Sequence, residues 1–224
     1  MNIRKNLKDV LYLLLMLTIP LLNKIYSFTN NQNRGVHSLV TDIDRVTPFI
    51  KTFILDYISW FVFMAIALCC IYFKNKKIYL KTLLIYDVCL IISFIIYFLF
   101  QTTVPRPALS GNDIFTNIVR TIYNFDRPYN CFPSIHCMSS YLMIKAVRIS
   151  NIKSNLFKVW VYILSILIIM STLFVKQHVI LDVICAILVC DVVFKVIFSF
   201  SWERFTKWKR KQSSLWMMKK KLEI

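Results

Sequence analysis

Six stretches of this chain are apolar over lengths that match a bilayer, and that leaves few folds open to it. A hydrocarbon core of about 30 Å takes roughly 20 mostly apolar residues per helix, because backbone polar groups there must be satisfied within the segment itself. Runs of that kind, bounded by charge, extend from about Asp9 to Phe28, Phe53 to Phe73, Ile78 to Phe100, Phe132 to Ile149, Phe157 to Val175 and His178 to Phe200. The sequence therefore predicts an all-α integral membrane protein with six transmembrane helices. Composition agrees, since 58% of the 224 residues are hydrophobic, 17% are charged and two are Gly, a balance foreign to soluble domains. The fourth run is the least regular, because Lys145 and Arg148 lie inside it and are expected to snorkel to an interface.

No internal repeat or low-complexity linker divides residues 1–224, so one membrane-embedded domain is expected. The longer connections, about Thr29 to Thr52 and Gln101 to Cys131, read as loops. Arg4, Lys5 and Lys8 precede the first run as in a secretory signal, but no small-residue cleavage site follows, and the segment reads as an anchor. With the N-terminus inside, the inner segments hold 19 of the 28 Lys and Arg and the outer ones eight, which favours both termini in the cytoplasm. The formal charge of +17 then faces an anionic inner leaflet rather than a nucleic acid. The basic tail over 202–224, with Trp202, Trp208 and Trp216, fits an interfacial anchor or a solvated tail equally well.

Seven Cys, of which Cys69, Cys70, Cys89, Cys185 and Cys190 lie deep in apolar runs, do not make a disulfide framework. Cys131 and Cys137 flank the most polar junction of the chain, "YNCFPSIHCMSS", and read as packing residues. Pro133 suits the first turn of a helix, where free amides around Ser134 and Ile135 form an anion site and Ser134 adds a hydroxyl donor. His136, one turn in, is placed to protonate a leaving oxygen. In "STLFVKQHVILDV", His178 and Asp182 stand four residues apart, so the carboxylate can hold one imidazole nitrogen while the other faces a substrate. Arg106, before Pro107, offers a planar donor fork for phosphate oxygens. All three junctions fall at the same, outer face.

A lone interfacial His is usually only solvated, and an Asp in a span usually pairs structurally, as Asp191 and Lys195 do at i, i+4. Two of three His converging with an Arg and a Lys on one face favour chemistry instead. No metal is expected, because Arg106 and Lys176 repel a cation and no acidic cluster is present. Asp87 has no role that the sequence assigns.

"VPRP", "FPSIH" and "KQHVILD" together resemble the three-part signature of the type 2 phosphatidic acid phosphatase (PAP2) superfamily. "DRPYNCFPSIH" is most similar to its inositol phosphorylceramide synthase-like branch and that branch's bacterial relatives. The resemblance covers about 101–186. It implies a six-helix bundle that works without metal or other cofactor. It also implies that His178 attacks phosphorus, Asp182 orients it, His136 protonates the departing alkoxide, and Arg106 and Ser134 bind phosphate oxygens, with Asp126, Pro128 and Asn130 matching the branch pattern. Two family cations are replaced, by Leu99 and Thr172, and Lys176 is the nearest substitute. The expected activity is hydrolysis of a membrane lipid phosphate or diphosphate at the outer face of a bacterial cell membrane. Transfer of the phosphoryl or head group to an acceptor hydroxyl, and binding or transport of a lipid phosphate without turnover, are the alternatives.

Overall fold

The computed structural model describes residues 3–31 and 35–199, so the basic tail over 202–224 lies outside the described residues. Local chemistry sets the helix boundaries. Short polar side chains start the helices by accepting a backbone N–H that has no partner inside the helix. Asn75 both ends α4 (Ile54–Lys74) and caps α5 (Lys76–Leu99), taking the Ile78 N–H at 3.2 Å. Asp113 caps α6 (Ile114–Phe125), Ser134 caps α7 (Ile135–Ile149), and Ser154 caps α8 (Asn155–Phe174). The first apolar run is α1 (Ile3–Leu14) and α2 (Thr18–Thr29), joined by a 3₁₀ turn. The last is α9 (Ile180–Ser199).

Among the described residues, four segments are long and apolar enough to cross a membrane: Asp9–Thr29, Lys51–Lys74, Lys76–Leu99 and Asn155–Phe174. The fourth and sixth expected spans fall short for physical reasons. α7 has 15 residues, because its cap at Ser134 delays the start of the helix, and α9 carries Asp182, Asp191 and Lys195 within its 20 residues. Lys145 does not simply snorkel. It pairs with Asp191 of α9, which also holds Lys195 at 2.6 Å, so one carboxylate balances two ammonium groups between α7 and α9. Asp87, unassigned from sequence, accepts the Thr18 hydroxyl at 3.0 Å and ties α2 to α5.

α7 is the central helix, packed against α4, α5, α8 and α9. Its Met138, Leu142, Met143 and Ala146 are fully buried, while Phe61, Leu84 and Ile163 point outward from the surrounding helices. In lipid, where apolar surface gains little by leaving the solvent, close packing and interhelical hydrogen bonds must hold such a bundle together. Trp60 of α4 supplies one, donating Nε1–H to Ser139 of α7 at 2.7 Å.

The two long connections are more structured than loops. They contain α3 (Asp42–Val46), α6, and a short parallel pair of β1 (His37–Ser38) with β2 (Thr102–Thr103). Gln101 donates to the Thr29 carbonyl at 2.7 Å, and Thr102 accepts the Phe132 N–H at 3.0 Å. Lys51 and Asp113 join the start of α4 to α6 through a 2.5 Å ion pair. These connections cover the end of the bundle where α2, α5 and α8 finish and α4, α7 and α9 begin.

Candidate active site

His178 lies two residues before α9, in the turn that follows α8. Its backbone N–H donates to the Thr172 carbonyl at 3.0 Å, and so does that of Gln177 at 2.9 Å. Asp182, in the first turn of α9, is fully buried and reaches back to the turn. Its Oδ2 accepts the Val179 N–H at 3.0 Å and lies 3.2 Å from Nδ1 of His178. The expected contact between the two residues is present, although it spans a turn-to-helix junction rather than one helical face. A carboxylate fixed in this way holds the proton on Nδ1 and leaves the Nε2 lone pair directed away from it.

His136 is in the first turn of α7, and its ring centroid is 6.4 Å from that of His178. It lies between two aromatic rings of α4, Tyr57 at 4.4 Å and Trp60 at 4.5 Å. Both histidines line one cavity of about 300 Å³, together with Tyr26, Ser27, Asp126, Asn130 and a mostly apolar and aromatic wall. Asp126 is tied down there by the Tyr26 hydroxyl at 2.5 Å and the Asn30 amide at 3.1 Å. Asn130 donates to the Tyr26 carbonyl and to Thr29 Oγ1, each at 2.9 Å. The two acidic and amide positions thus fix the end of α2 against the cavity.

A second cavity, of about 310 Å³, meets His178 from another side and is lined by Arg45, Arg106 and Lys176. The cations are held by the chain itself. Arg106 donates from Nη1 to the Tyr123 carbonyl at 3.0 Å and from Nη2 to the Asp126 carbonyl at 2.7 Å and to Gln177, with its guanidinium 4.2 Å from the Tyr123 ring centre. Most of the fork expected for phosphate oxygens is therefore occupied. Lys176 donates from Nζ to the carbonyls of Asp44 at 3.0 Å and Thr47 at 2.6 Å. Burial pulls its ammonium below the usual lysine range, and Asp44 partly offsets this. Arg45 also pairs loosely with Asp42 at 3.6 Å.

The sequence-derived residues thus divide. His136, His178, Asp126 and Asn130 meet in the first cavity, Arg106 and Lys176 join His178 in the second, and Asp182 stands behind His178. Ser134 lines neither. It is fully buried, its Oγ accepts the Cys137 N–H at 3.3 Å, and its own N–H donates to the Asp182 carbonyl at 3.3 Å. Pro133 precedes this cap, joined to Phe132 by a cis peptide bond, and does not enter the first helical turn. Leu99 is 76% exposed and points away, whereas Thr172 is fully buried and serves the turn that carries His178. The third histidine, His37, stacks on Phe100 outside both cavities.

Sequence reasoning missed Tyr57, Trp60 and Arg45. Tyr and Trp at the head of an apolar run read as an interfacial belt, and only the i, i+3 spacing of the pair hints at a shared partner. Among the described residues, Cys131, His178 and Asp182 also bring ligand-type atoms within 4.8 Å of one another. The sequence had given Cys131 no role beyond packing.

No curated protein and no solved structure matches the chain. A family model described as the PAP2 superfamily matches residues 78–206. That is more than half of the 224 residues, and the matched stretch includes both histidines, Asp182 and Arg106. The chain belongs to the PAP2 superfamily, a family of phosphatases and phosphotransferases that act on phosphate esters.

Proposed function

We propose that the protein is a membrane lipid phosphatase that cleaves a lipid phosphate or diphosphate through a phosphohistidine, without a metal cofactor. The observation that carries this reading is the relation of three side chains: Asp182 holds Nδ1 of His178, and His136 stands across the same cavity. Nε2 of His178 attacks phosphorus, the bond from phosphorus to the leaving oxygen breaks, and His136 gives that oxygen its proton. His136, now neutral, accepts a proton from a water that attacks phosphorus. The nitrogen–phosphorus bond then breaks and releases phosphate. Arg106 and Lys176 balance the charge of the phosphoryl group from the neighbouring cavity. Ser134 keeps its hydroxyl proton while it caps α7, but it is fully buried and lines neither cavity, so a donor role would require the side chain to reach one of them.

The mostly apolar wall around His136 suits a ligand that brings hydrocarbon with its phosphate. α7, enclosed by its neighbours, and α9, packed on α5 and α7, complete six spans, and the charge between them is tolerated because it is paired. In this reading both termini are cytoplasmic and the site lies at the outer face of a bacterial cell membrane, within one domain, and the even number of spans and the bias of basic residues support that orientation. Reporter fusions after Phe100 should then report the outside and fusions after Ile149 the inside, and the reverse pattern would move the site to the cytoplasm.

The second cavity at His178 favours one further reading, in which an acceptor hydroxyl replaces water and the enzyme is a phosphotransferase of the inositol phosphorylceramide synthase type. Purified protein with a panel of radiolabelled lipid phosphates tests both readings. Release of inorganic phosphate, unaffected by chelator, inhibited by vanadate and lost in His178→Ala, is expected. Label passing to an added alcohol in preference to water would establish transfer. Tight binding of the lipids with no turnover would leave only a binding or transport role.

A further inference from the structure

The Cys131 thiol stands beside the His178 and Asp182 pair and has no part in the reaction proposed above. It is free and 3% exposed, and its Sγ, a ring nitrogen of His178 and a carboxylate oxygen of Asp182 all lie within 4.8 Å of one another. The chain holds it there from both sides. Asn130 bridges to Thr102, and the Phe132 N–H donates to Thr102 Oγ1 at 3.0 Å, so Cys131 is pinned between them against Val104 and Val179. A second observation concerns the carboxylate. Oδ2 of Asp182 is engaged with Val179 and His178, whereas Oδ1, fully buried, has no hydrogen-bond partner among the described residues. A thiol, an imidazole and an unused carboxylate oxygen within reach of one centre form a donor set for a soft or borderline divalent cation.

We propose that a thiophilic divalent cation of the zinc or cadmium type binds Cys131 Sγ, His178 Nδ1 and Asp182 Oδ1, and that this site switches the enzyme off. Its inhibitory effect rests on the phosphohistidine reading, but the binding does not. Binding forms the three metal bonds and releases the thiol proton to solvent. A neutral imidazole has one free ring lone pair. With Nδ1–H held by Asp182, that pair is on Nε2 and free to attack phosphorus. With the metal on Nδ1, the proton moves to Nε2 and the nucleophile is gone. Asp182 keeps its Val179 contact throughout, because the metal uses the other oxygen. Arg106 and Lys176 line the neighbouring cavity, which His178 shares, and repel cations. A hard ion that gains little from sulfur therefore cannot bind, and the site excludes magnesium.

Full-length protein stripped with chelator would be titrated with cadmium and followed by the ultraviolet thiolate-to-cadmium charge-transfer band. Phosphate release from a short-chain phosphatidic acid would be followed with zinc or magnesium. A saturable band is expected in the wild type, lost in Cys131→Ser and Cys131→Ala and kept in Cys137→Ser. Zinc should inhibit the wild type and be at least tenfold weaker against both Cys131 variants, each compared with its own metal-free rate. Magnesium should have no effect. A band or a zinc sensitivity that survives loss of Cys131 overturns the site. If neither Cys131 variant folds, His178→Ala decides it: cadmium affinity must fall at least tenfold, and an unchanged affinity overturns the proposal. A Cys131-dependent band in a protein without metal-free turnover would leave the site standing and sink the phosphatase reading instead.

Discussion

The Tyr57 ring stacks on the imidazole of His136 with centroids 4.4 Å apart and planes at 27°. Trp60, one turn further along α4, closes the other flank at 4.5 Å. α4 starts at the covered end of the bundle, which puts both rings beside the first turn of α7. Such a clamp restricts the imidazole to one orientation, which a positioned acid for the leaving oxygen needs.

That arrangement separates two roles of Tyr57. Its hydroxyl reaches Asp126 only at 3.5 Å, so Tyr57→Phe keeps the stacking and should hold kcat within about threefold. Tyr57→Leu keeps apolar bulk but loses the ring face. A misplaced acid forfeits part of a proton-transfer contribution of about 10²–10⁴-fold, and kcat should fall by roughly ten- to a hundred-fold. Steady-state kinetics on detergent-purified protein would decide it. Equal rates in the two variants would mean that the clamp only fills space.

Asp182→Asn tests the orientation of His178. The amide oxygen can still accept the Val179 N–H, so the start of α9 should remain in place and the melting temperature should change little. Both contacts run through Oδ2, so the amide oxygen there still faces Nδ1, but the negative charge that balances the developing imidazolium is gone. Loss of turnover by about two to four orders of magnitude, with KM nearly unchanged, is expected by analogy with other histidines held by a carboxylate. A variant that turns over at the wild-type rate would remove Asp182 from the mechanism.

The helices were legible because apolar length and flanking charge are local properties. The His178 and Asp182 pair was legible for the same reason, being four residues apart. Contacts between distant segments carried no such signal. Tyr57 and His136 lie on the second and fourth expected spans, and nothing local distinguishes a stacking Tyr from an interfacial one. Ser134 was read as a phosphate donor because a hydroxyl at a helix start supports that role and capping equally, and only the fold reveals that Cys137 claims it. α7 diverged from its expected span because the Ser134 cap shortens it, and α9 because its Asp191 is neutralised by partners, Lys145 and Lys195, that hydropathy cannot see.

Acid should loosen the covering layer before the bundle. Asp113 caps α6 and pairs with Lys51 at 2.5 Å. That ion pair, with help from the Thr116 hydroxyl, holds its carboxyl well below the usual carboxylate range. A depressed folded value means that the contribution is fully present above the unfolded value of about 3.9 and is lost as pH falls below it toward the folded one. Asp113→Asn keeps a cap but not the charge. Its melting temperature should therefore fall less steeply than the wild type's below about pH 4. Parallel curves for the two proteins would assign the acid sensitivity elsewhere.

We propose that Lys176 substitutes for the two cations that the family resemblance places where this chain has Leu99 and Thr172. Its Nζ lies on the carbonyls of Asp44 and Thr47 beside the cavity that His178 shares, and one N–H remains for a phosphate oxygen. The residue adopts φ +53°, a left-handed conformation that Asn tolerates better than Ala, so Lys176→Asn removes the charge without straining the turn. Losing a charge-assisted contact that tightens as the phosphoryl group transfers should cost about 1.5 to 3 kcal/mol, roughly ten- to a hundred-fold in kcat/KM. Lys176→Arg should retain much of the activity, because a cation still stands at the same turn. Lys158→Ala, at the far end of α8, supplies the control for a general loss of positive charge. Measured with a short-chain lipid phosphate, equal and small losses in Lys176→Asn and Lys158→Ala would mean that Lys176 only fastens residues 44–47. Arg45, which lines the same cavity, would then be the cation to substitute next.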